Sequence, residues 1–296
     1  MLTDWLNSWA RAMLAPPKGM NYSFNEPLGE PSLVASDSVS WRIFKNPIGL
    51  FIGGAAAVIL ELAEPSVRAG VWEHSSFRRD PLTRLKRTGF AAMVTVYGPR
   101  SAAEEMIAGV VKAHDRVRGT GADGQTYEAN DPRLLNWVQA TASYGFIEAY
   151  SRFCSPLSDV EKSQAFREGA GAARLYGATG APTSLDEWRQ LFAAARPGLQ
   201  RSEIVQEFLE IMSAAPLLPW AFRPLQRLLL RAAVDLVPDD LRRELDLMNR
   251  GLNGPQRHVV KALAKMADRI HLRDAPASLA SVRLGLPLDY LIQLGE

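Results

Sequence analysis

Helix-start signals recur along this chain of 296 residues, and they constrain its fold more than any other feature. A serine followed three residues later by glutamate has the spacing of a capping box. Such pairs occur at Ser101–Glu104, Ser158–Glu161 and Ser184–Glu187. Asp131 directly precedes Pro132, which places a capping carboxylate before a proline suited to the first helical position.

Apolar residues recur at helical spacing over long segments between these signals. The segments are 102–117, 132–153, 158–176, 203–213, 220–236 and 256–270. The only short run typical of a strand is Met93 to Tyr97, and it stands alone. The pattern predicts an all-α fold with one large helical domain over residues 46–296.

Residues 1–45 form a different region of the chain. The first 14 residues place Trp5 and Trp9 on one apolar helical face, and Pro, Gly and Ser are frequent in residues 15–45. We expect a helix followed by an irregular connector. The helix either packs on the body of the protein or lies on a membrane surface, so peripheral membrane contact is a candidate interaction.

Charge and cysteine content limit the partners and the compartment. A formal net charge of only +2 gives no reason to expect a nucleic-acid partner. Cys154 is the single cysteine, and the N-terminus has no secretory signal pattern, so we expect a cytoplasmic protein. The most apolar run, residues 48–60, is shorter than the roughly 20 residues of a membrane span and predicts a buried helix.

His114 is the most informative of the four histidines. It continues an apolar stripe formed by Ala103, Ile107 and Val110, with steps of four and three residues, and Val117 extends the stripe. The stripe predicts that the imidazole points into the interior. Two interpretations remain open, a hydrogen-bonded core histidine and a ligand of heme iron.

A basic cluster lies upstream, in the segment DPLTRLKRTG. On a helix, Arg84, Arg87 and Thr88 would share one face because they are three and four residues apart. The cluster is either a solvated basic face or a site for an anion such as a heme propionate, which guanidinium groups bind in a bidentate manner.

Carboxylates and glycines offer weaker signals. Glu61 and Glu64 end an apolar segment, where they are either exposed at a helix end or, for Glu64, a pocket acid or base. His74 is a candidate for a local cap or a functional role. The GxGxxG spacing in RGTGADGQTY does not follow a strand or open a clear helix, so it does not predict a dinucleotide site.

At these residues the sequence resembles the heme oxygenase family that includes latex clearing protein, a rubber oxygenase, and the MpaB-type oxygenases. The resemblance is carried by GGAAAVILELAEPSVRAGVWEHSSFRRDPLTRLKRT from Gly53, by KAHDRVRG at 112–119 and by YEANDPRLLNWVQAT at 127–141. It covers about residues 45–260, and the motifs occur in the same order as in the family.

The resemblance implies heme b in an all-α, globin-like core, with His114 as the proximal iron ligand and Arg84, Arg87 and Thr88 near the heme. It also implies cleavage of isoprenoid carbon–carbon double bonds with O2. Two positions depart from the family pattern, because Glu64 and Gln139 stand where many relatives have histidine.

The function that the sequence predicts is a heme b-dependent oxygenase. It would act with O2 on an apolar, unsaturated, isoprenoid-like or lipid-like small molecule, with Arg84, Thr88 and Glu64 as catalytic residues. The two departures keep alternatives open. One is a heme protein that senses or carries a diatomic gas, and another is a helical scaffold without a cofactor.

Overall fold

The computed structural model describes residues 16–121 and 124–293, and their regular secondary structure is almost entirely helical. This confirms the all-α prediction; the globin-like core stays a prediction, and the helix expected at residues 1–14 lies outside the described part. The helices are α1 (Val39–Phe44), α2 (Pro47–Ala63), α3 (Pro65–His74), α4 (Pro81–Tyr97), α5 (Arg100–His114), α6 (Pro132–Ala149), α7 (Asp159–Leu175), α8 (Leu185–Ala195), α9 (Glu203–Ala214), α10 (Arg223–Val234), α11 (Asp239–Glu244), α12 (Gly254–Asp268), α13 (Pro276–Arg283) and α14 (Tyr290–Gln293). A π-helical turn, Tyr150–Cys154, extends α6, and short 3₁₀ turns occupy Arg196–Gly198, Trp220–Phe222 and Met248–Arg250.

Two of the predicted helix starts are confirmed. The Asp131 side chain accepts a hydrogen bond from the N–H of Arg133, and Pro132 opens α6. Ser158 and Glu161 form a complete capping box at the start of α7. These caps satisfy N–H groups that have no partner within the helix.

The other two pairs behave differently. Ser184 caps α8 by accepting from the N–H of Glu187, but the Glu187 carboxylate bonds to Thr183 instead of returning to the cap. The prediction at Ser101 is wrong. Helix α5 begins after Pro99 without a side-chain cap, because the Ser101 hydroxyl and N–H bond to a carboxylate outside the helix.

The strand-like run Met93–Tyr97 lies inside α4, so the prediction of a strand there was wrong. Four of its five residues are buried, including Val94 and Tyr97. A helix that other elements surround does not need polar residues at every helical turn. A few consecutive residues of such a helix therefore look the same as a buried strand.

The core is organised around the crossing of α2 and α6. A Cβ atom added at Gly53 of α2 would lie 2.7 Å from the carbonyl oxygen of Gly145 on α6. Two glycines therefore let the backbones of the two helices touch. Ile52, Ile59 and Leu60 of α2 are completely buried around this crossing.

The predicted connector is tied to the helical body rather than extended away from it. Trp41, on α1, is completely buried, and its Nε1 donates to the carbonyl oxygens of Val34 and Val96. The Arg283 guanidinium is also buried and donates to the carbonyl oxygen of Phe24. These bonds join the segment before residue 46 to α4 and α13.

A two-stranded antiparallel hairpin follows α5, with β1 at Arg118–Thr120 and β2 at Thr126–Glu128. This hairpin contains the GxGxxG spacing. Gly119 faces Tyr127, whose hydroxyl would collide with any Cβ at that position, and Gly124 has a φ of +80°. The glycines are therefore explained by hairpin geometry, not by a phosphate site.

Helix α2 is a buried helix, as its apolar run predicts. Among the described residues, no single helix is long and apolar enough to cross a membrane. Helices α2 and α3 satisfy the length and composition criteria only when they are joined, and the chain bends by 111° between them.

Candidate active site

His114 is the last residue of α5 and is half-buried. The sequence pattern placed it in the middle of a helix that continued past Val117; the helix instead ends at His114, and Asp115 follows as its C-cap. The Nδ1 atom of His114 is buried, and no residue in the described part of the chain forms a hydrogen bond with it. The Asn130 side chain nevertheless acts on the ring as a hydrogen-bonding group and raises its pKa, so Asn130 is the polar neighbour of this imidazole.

The surroundings of His114 favour its neutral form. Burial lowers the pKa of the imidazole, and the positive charge of Arg84 lowers it further, while Asn130 and Asp115 oppose the shift. Only a neutral imidazole has the free electron pair that a metal ion binds. The lowered pKa of His114 therefore suits a role as a metal ligand.

Asn130 fixes the turn next to His114. Its Nδ2 donates to the carbonyl oxygen of Val111 at 3.1 Å and to the Asp115 carboxylate at 2.8 Å. Its Oδ1 atom is buried and, within the described residues, has no partner. Since the Asn130 side chain raises the pKa of the His114 imidazole as a hydrogen-bonding group, Asn130 and His114 interact at the end of α5.

Arg84 and Thr88 lie together on α4, as their spacing predicts. Arg84 Nη1 donates to Thr88 Oγ1 at 2.7 Å, and the Thr88 hydroxyl donates to the Arg84 carbonyl oxygen at 3.0 Å. Arg84 is half-buried, and burial lowers the pKa of its guanidinium. Arg87 and Thr88 are exposed, and Arg87 Nη1 lies 3.5 Å from the carbonyl oxygen of Lys18.

Glu61, near the end of α2, is the carboxylate that belongs to this site. Burial raises its pKa to about 7, and the charge of Arg84 acts in the opposite direction. The charge of Arg84, on α4, thus influences the pKa of Glu61 near the end of α2 and the pKa of His114 at the end of α5. Sequence reasoning named Glu61 only as the end of an apolar segment, although its position within that segment signalled an expensive burial.

Glu64 has a structural role in the described contacts. It is buried and caps α3, where its Oε2 accepts from the N–H of Val67 at 2.7 Å. Its Oε1 accepts from Arg133 Nη1 at 2.9 Å. Because both oxygens are engaged at the corner between α2 and α3, the expectation of an exposed Glu64 was wrong. Its predicted role in proton handling stays a prediction.

The remaining predicted positions lie outside this cluster. Gln139 Nε2 is 3.9 Å from the Cβ position of Gly169, which places it between α6 and α7. His74 Nε2 is 3.1 Å from the Tyr127 hydroxyl, which also donates to Glu73, so His74 helps to hold the hairpin on α3. His74 therefore has local structural partners, and Gln139 lies at the boundary between α6 and α7.

Glu61→Gln should flatten the pH dependence of folding stability between pH 4.5 and about pH 7. Because the raised pKa means that the folded state binds this proton more tightly than the unfolded chain, the stabilising contribution is complete below pH 4.5 and is lost as the pH approaches 7. Part of the Glu61 side chain stays exposed to solvent, which reduces the effect. We expect the free energy of unfolding of the wild type to fall by about 2 kcal/mol more than that of the variant across this pH range. Urea unfolding at a series of pH values measures the difference.

Glu161→Gln is the matched control for this measurement. Hydrogen bonds from Arg42 and Ser158 lower the pKa of Glu161 to about 2, so its titration lies below the window. That variant should lose stability about equally at every pH between 4.5 and 7. An unchanged slope in Glu61→Gln would contradict the raised pKa.

Comparison with known proteins assigns the chain to a family. The model of the family described as "ER-bound oxygenase mpaB/B'/Rubber oxygenase, catalytic domain" matches residues 41–269, well over half of the chain. An uncharacterized protein of Mycobacterium tuberculosis is 29% identical over 182 residues, which cover 57% of this chain and 69% of that protein. A Mycobacterium bovis protein, also uncharacterized, matches with the same identity and coverage. No solved structure matches the chain. The chain therefore belongs to the mpaB and rubber oxygenase family, which makes it an oxygenase of the oxidoreductase class.

Proposed function

We propose that this oxygenase uses heme b and O2 to oxidise an apolar, unsaturated small molecule of isoprenoid or lipid-like character. The observation that carries the proposal is the His114 imidazole, whose buried Nδ1 atom forms no close hydrogen bond within the described residues, although the Asn130 side chain acts on the ring. Family membership supports the oxygen chemistry, and this imidazole supplies a site at which an iron could be held.

Two features of the site fit a heme group. The surroundings of His114 lower its pKa and so favour the neutral imidazole that an iron ligand must be. Arg84 and Arg87 supply two guanidinium groups of the kind that pair with propionate carboxylates. A porphyrin needs only one imidazole from the chain.

The heme and the residues around it would have different roles in the reaction. Bound heme would supply an iron that binds and activates O2. Arg84 is held by its bond to Thr88, and its remaining N–H groups could donate to an anionic or polar group. Glu61 can hold or release a proton at its carboxylate near neutral pH, because its pKa is about 7.

An apolar substrate is supported by the side chains next to Arg84. Leu82 and Leu85 of α4 are half-buried and extend the main hydrophobic core toward the site. An apolar molecule at this position would gain free energy in proportion to the area that it removes from water. The chain's own contribution would be to bind and orient such a molecule and to exclude water.

Oxygen uptake with matched lipids tests the proposal. After heme is supplied and reduced, the wild type should consume O2 in the presence of squalene, and mass spectrometry should detect carbonyl products. Squalane, the saturated analogue, should give neither result, because it has no double bond. A stable complex with O2 and no uptake with squalene or other unsaturated lipids would favour a gas carrier or sensor instead.

A further inference from the structure

A cavity of about 480 Å³ lies in another part of the molecule and shares no lining residue with the candidate active site. It lies where the π-helical turn after α6 meets α12 and the segment from the end of α10 to α11. Five cationic side chains line it: Arg152, Arg242, Arg257, Lys261 and Lys265. The cavity has the volume of a small-molecule site.

A buried carboxylate organises the arginines of this cavity. Asp235 is 9% exposed, and its Oδ1 accepts from Arg242 Nη1 at 3.0 Å while its Oδ2 accepts from Arg257 Nη2 at 2.7 Å. Arg152 Nη1 donates to the Asp235 carbonyl oxygen at 3.1 Å. A Cβ at Gly251 would collide with Asp235 Oδ1. Three guanidinium groups are thus held in defined positions around one residue.

The cationic charge of the cavity exceeds its anionic charge. The lining contains five cations and two carboxylates, Asp235 and Asp239. Arg152 is also paired with Glu148 at 3.1 Å, so five cations face three carboxylates and a net charge of +2 remains. Lys261 and Lys265 are exposed and one turn apart on α12, and the described residues provide neither with an acidic partner. The Nε atom of Arg242 is buried and also lacks a partner in the described chain.

A purely structural role accounts for only part of this arrangement. The bonds of Asp235 to Arg242 and Arg257 join α10, α11 and α12, and they would stabilise this corner without any ligand. Lys261 and Lys265 contribute nothing to those bonds. Like charges gathered at one cavity repel each other unless an anion is bound among them.

We infer that this cavity binds a phosphate-bearing polyanion, with a diphosphate group as the best match in charge. Both Nη atoms of Arg242 are engaged by Asp235 and Asp239, so Arg242 shapes the wall of the cavity. Arg257 uses Nη2 for Asp235 in the described contacts, and its other N–H groups, together with the ammonium groups of Lys261 and Lys265, suit contacts to phosphate oxygens. The phosphate groups come either from a soluble diphosphate ester or from the phosphomonoester headgroups of an anionic lipid. The inference does not depend on heme or on the proposed oxygenase substrate.

Calorimetric titration with inorganic pyrophosphate tests the site. The wild type should bind it, and the double variant Lys261→Ala/Lys265→Ala should bind roughly tenfold or more weakly, with an unchanged melting temperature. The control is Arg167→Ala/Arg174→Ala, which removes two exposed cations from α7 and should bind as the wild type does.

A second measurement identifies the source of the phosphate. Sedimentation with phosphatidylcholine vesicles, with and without phosphatidic acid, shows whether the site takes a lipid headgroup. Lysine-dependent binding to the phosphatidic acid vesicles, with or without binding of soluble pyrophosphate, supports the inference. If the wild type binds neither, or if both double variants weaken binding equally, the inference is overturned.

Discussion

His114→Ala should yield a protein that folds but retains little heme. The variant removes the only side chain at the site with a buried imidazole nitrogen that lacks a partner, so iron would lose its ligand from the chain. We expect heme content after reconstitution to fall by about tenfold or more. The measurement is the Soret absorbance per mole of protein after heme is supplied and the excess is removed.

The far-UV circular dichroism of this variant should match that of the wild type. His114 is the final residue of α5 and is only half-buried, so alanine leaves the preceding turns and their packing intact. His258→Ala is the control, because that imidazole is exposed and bonds only to the carbonyl oxygen of Gly254 within its own helix. Wild-type heme content and an unshifted Soret band in His114→Ala would contradict the ligand assignment.

Gly145→Ala should produce a large loss of stability. A Cβ at this position would collide with the carbonyl oxygen of Gly53 and lie 3.2 Å from the backbone nitrogen of Ala57. Backbone atoms cannot move aside as a flexible side chain can, so α2 and α6 would have to separate. We expect a loss of about 3 kcal/mol in the free energy of unfolding, measured by urea denaturation.

Gly171→Ala should have the opposite effect. No atom lies within 4 Å of the Cβ position at Gly171, which is in the interior of α7. Alanine is the better helix former, so this variant should gain up to about 1 kcal/mol. If Gly145→Ala unfolds at the same urea concentration as the wild type, the close crossing of α2 and α6 is wrong.

Local signals in the sequence predicted the elements well where the causes were local. The caps at Asp131 and Ser158 act within three residues of the chain, and both helices begin where those residues predict. Arg84 and Thr88 are one helical turn apart, so their hydrogen bond follows from helix geometry alone.

Sequence patterns failed where a distant segment determined the outcome. Ser101 does not cap α5, because a carboxylate far away in the chain binds it. The glycines of the GxGxxG spacing lie in a hairpin, where Tyr127 packs over Gly119. Glu61 and Glu64 looked alike in sequence. Arg133 and the start of α3 engage Glu64, whereas burial near Arg84 leaves Glu61 with the raised pKa.

By itself, the sequence determined that this chain is helical and which family it belongs to, because caps, helical spacing and family motifs are encoded within short stretches. Only the tertiary structure decided which of the candidate residues lie within electrostatic reach of one another. Glu61, Arg84 and His114 lie on three different helices, and the charge of Arg84 reaches the other two because folding packs those helices together. Burial and electrostatic interaction depend on distance in space, which the order of residues along a chain does not specify.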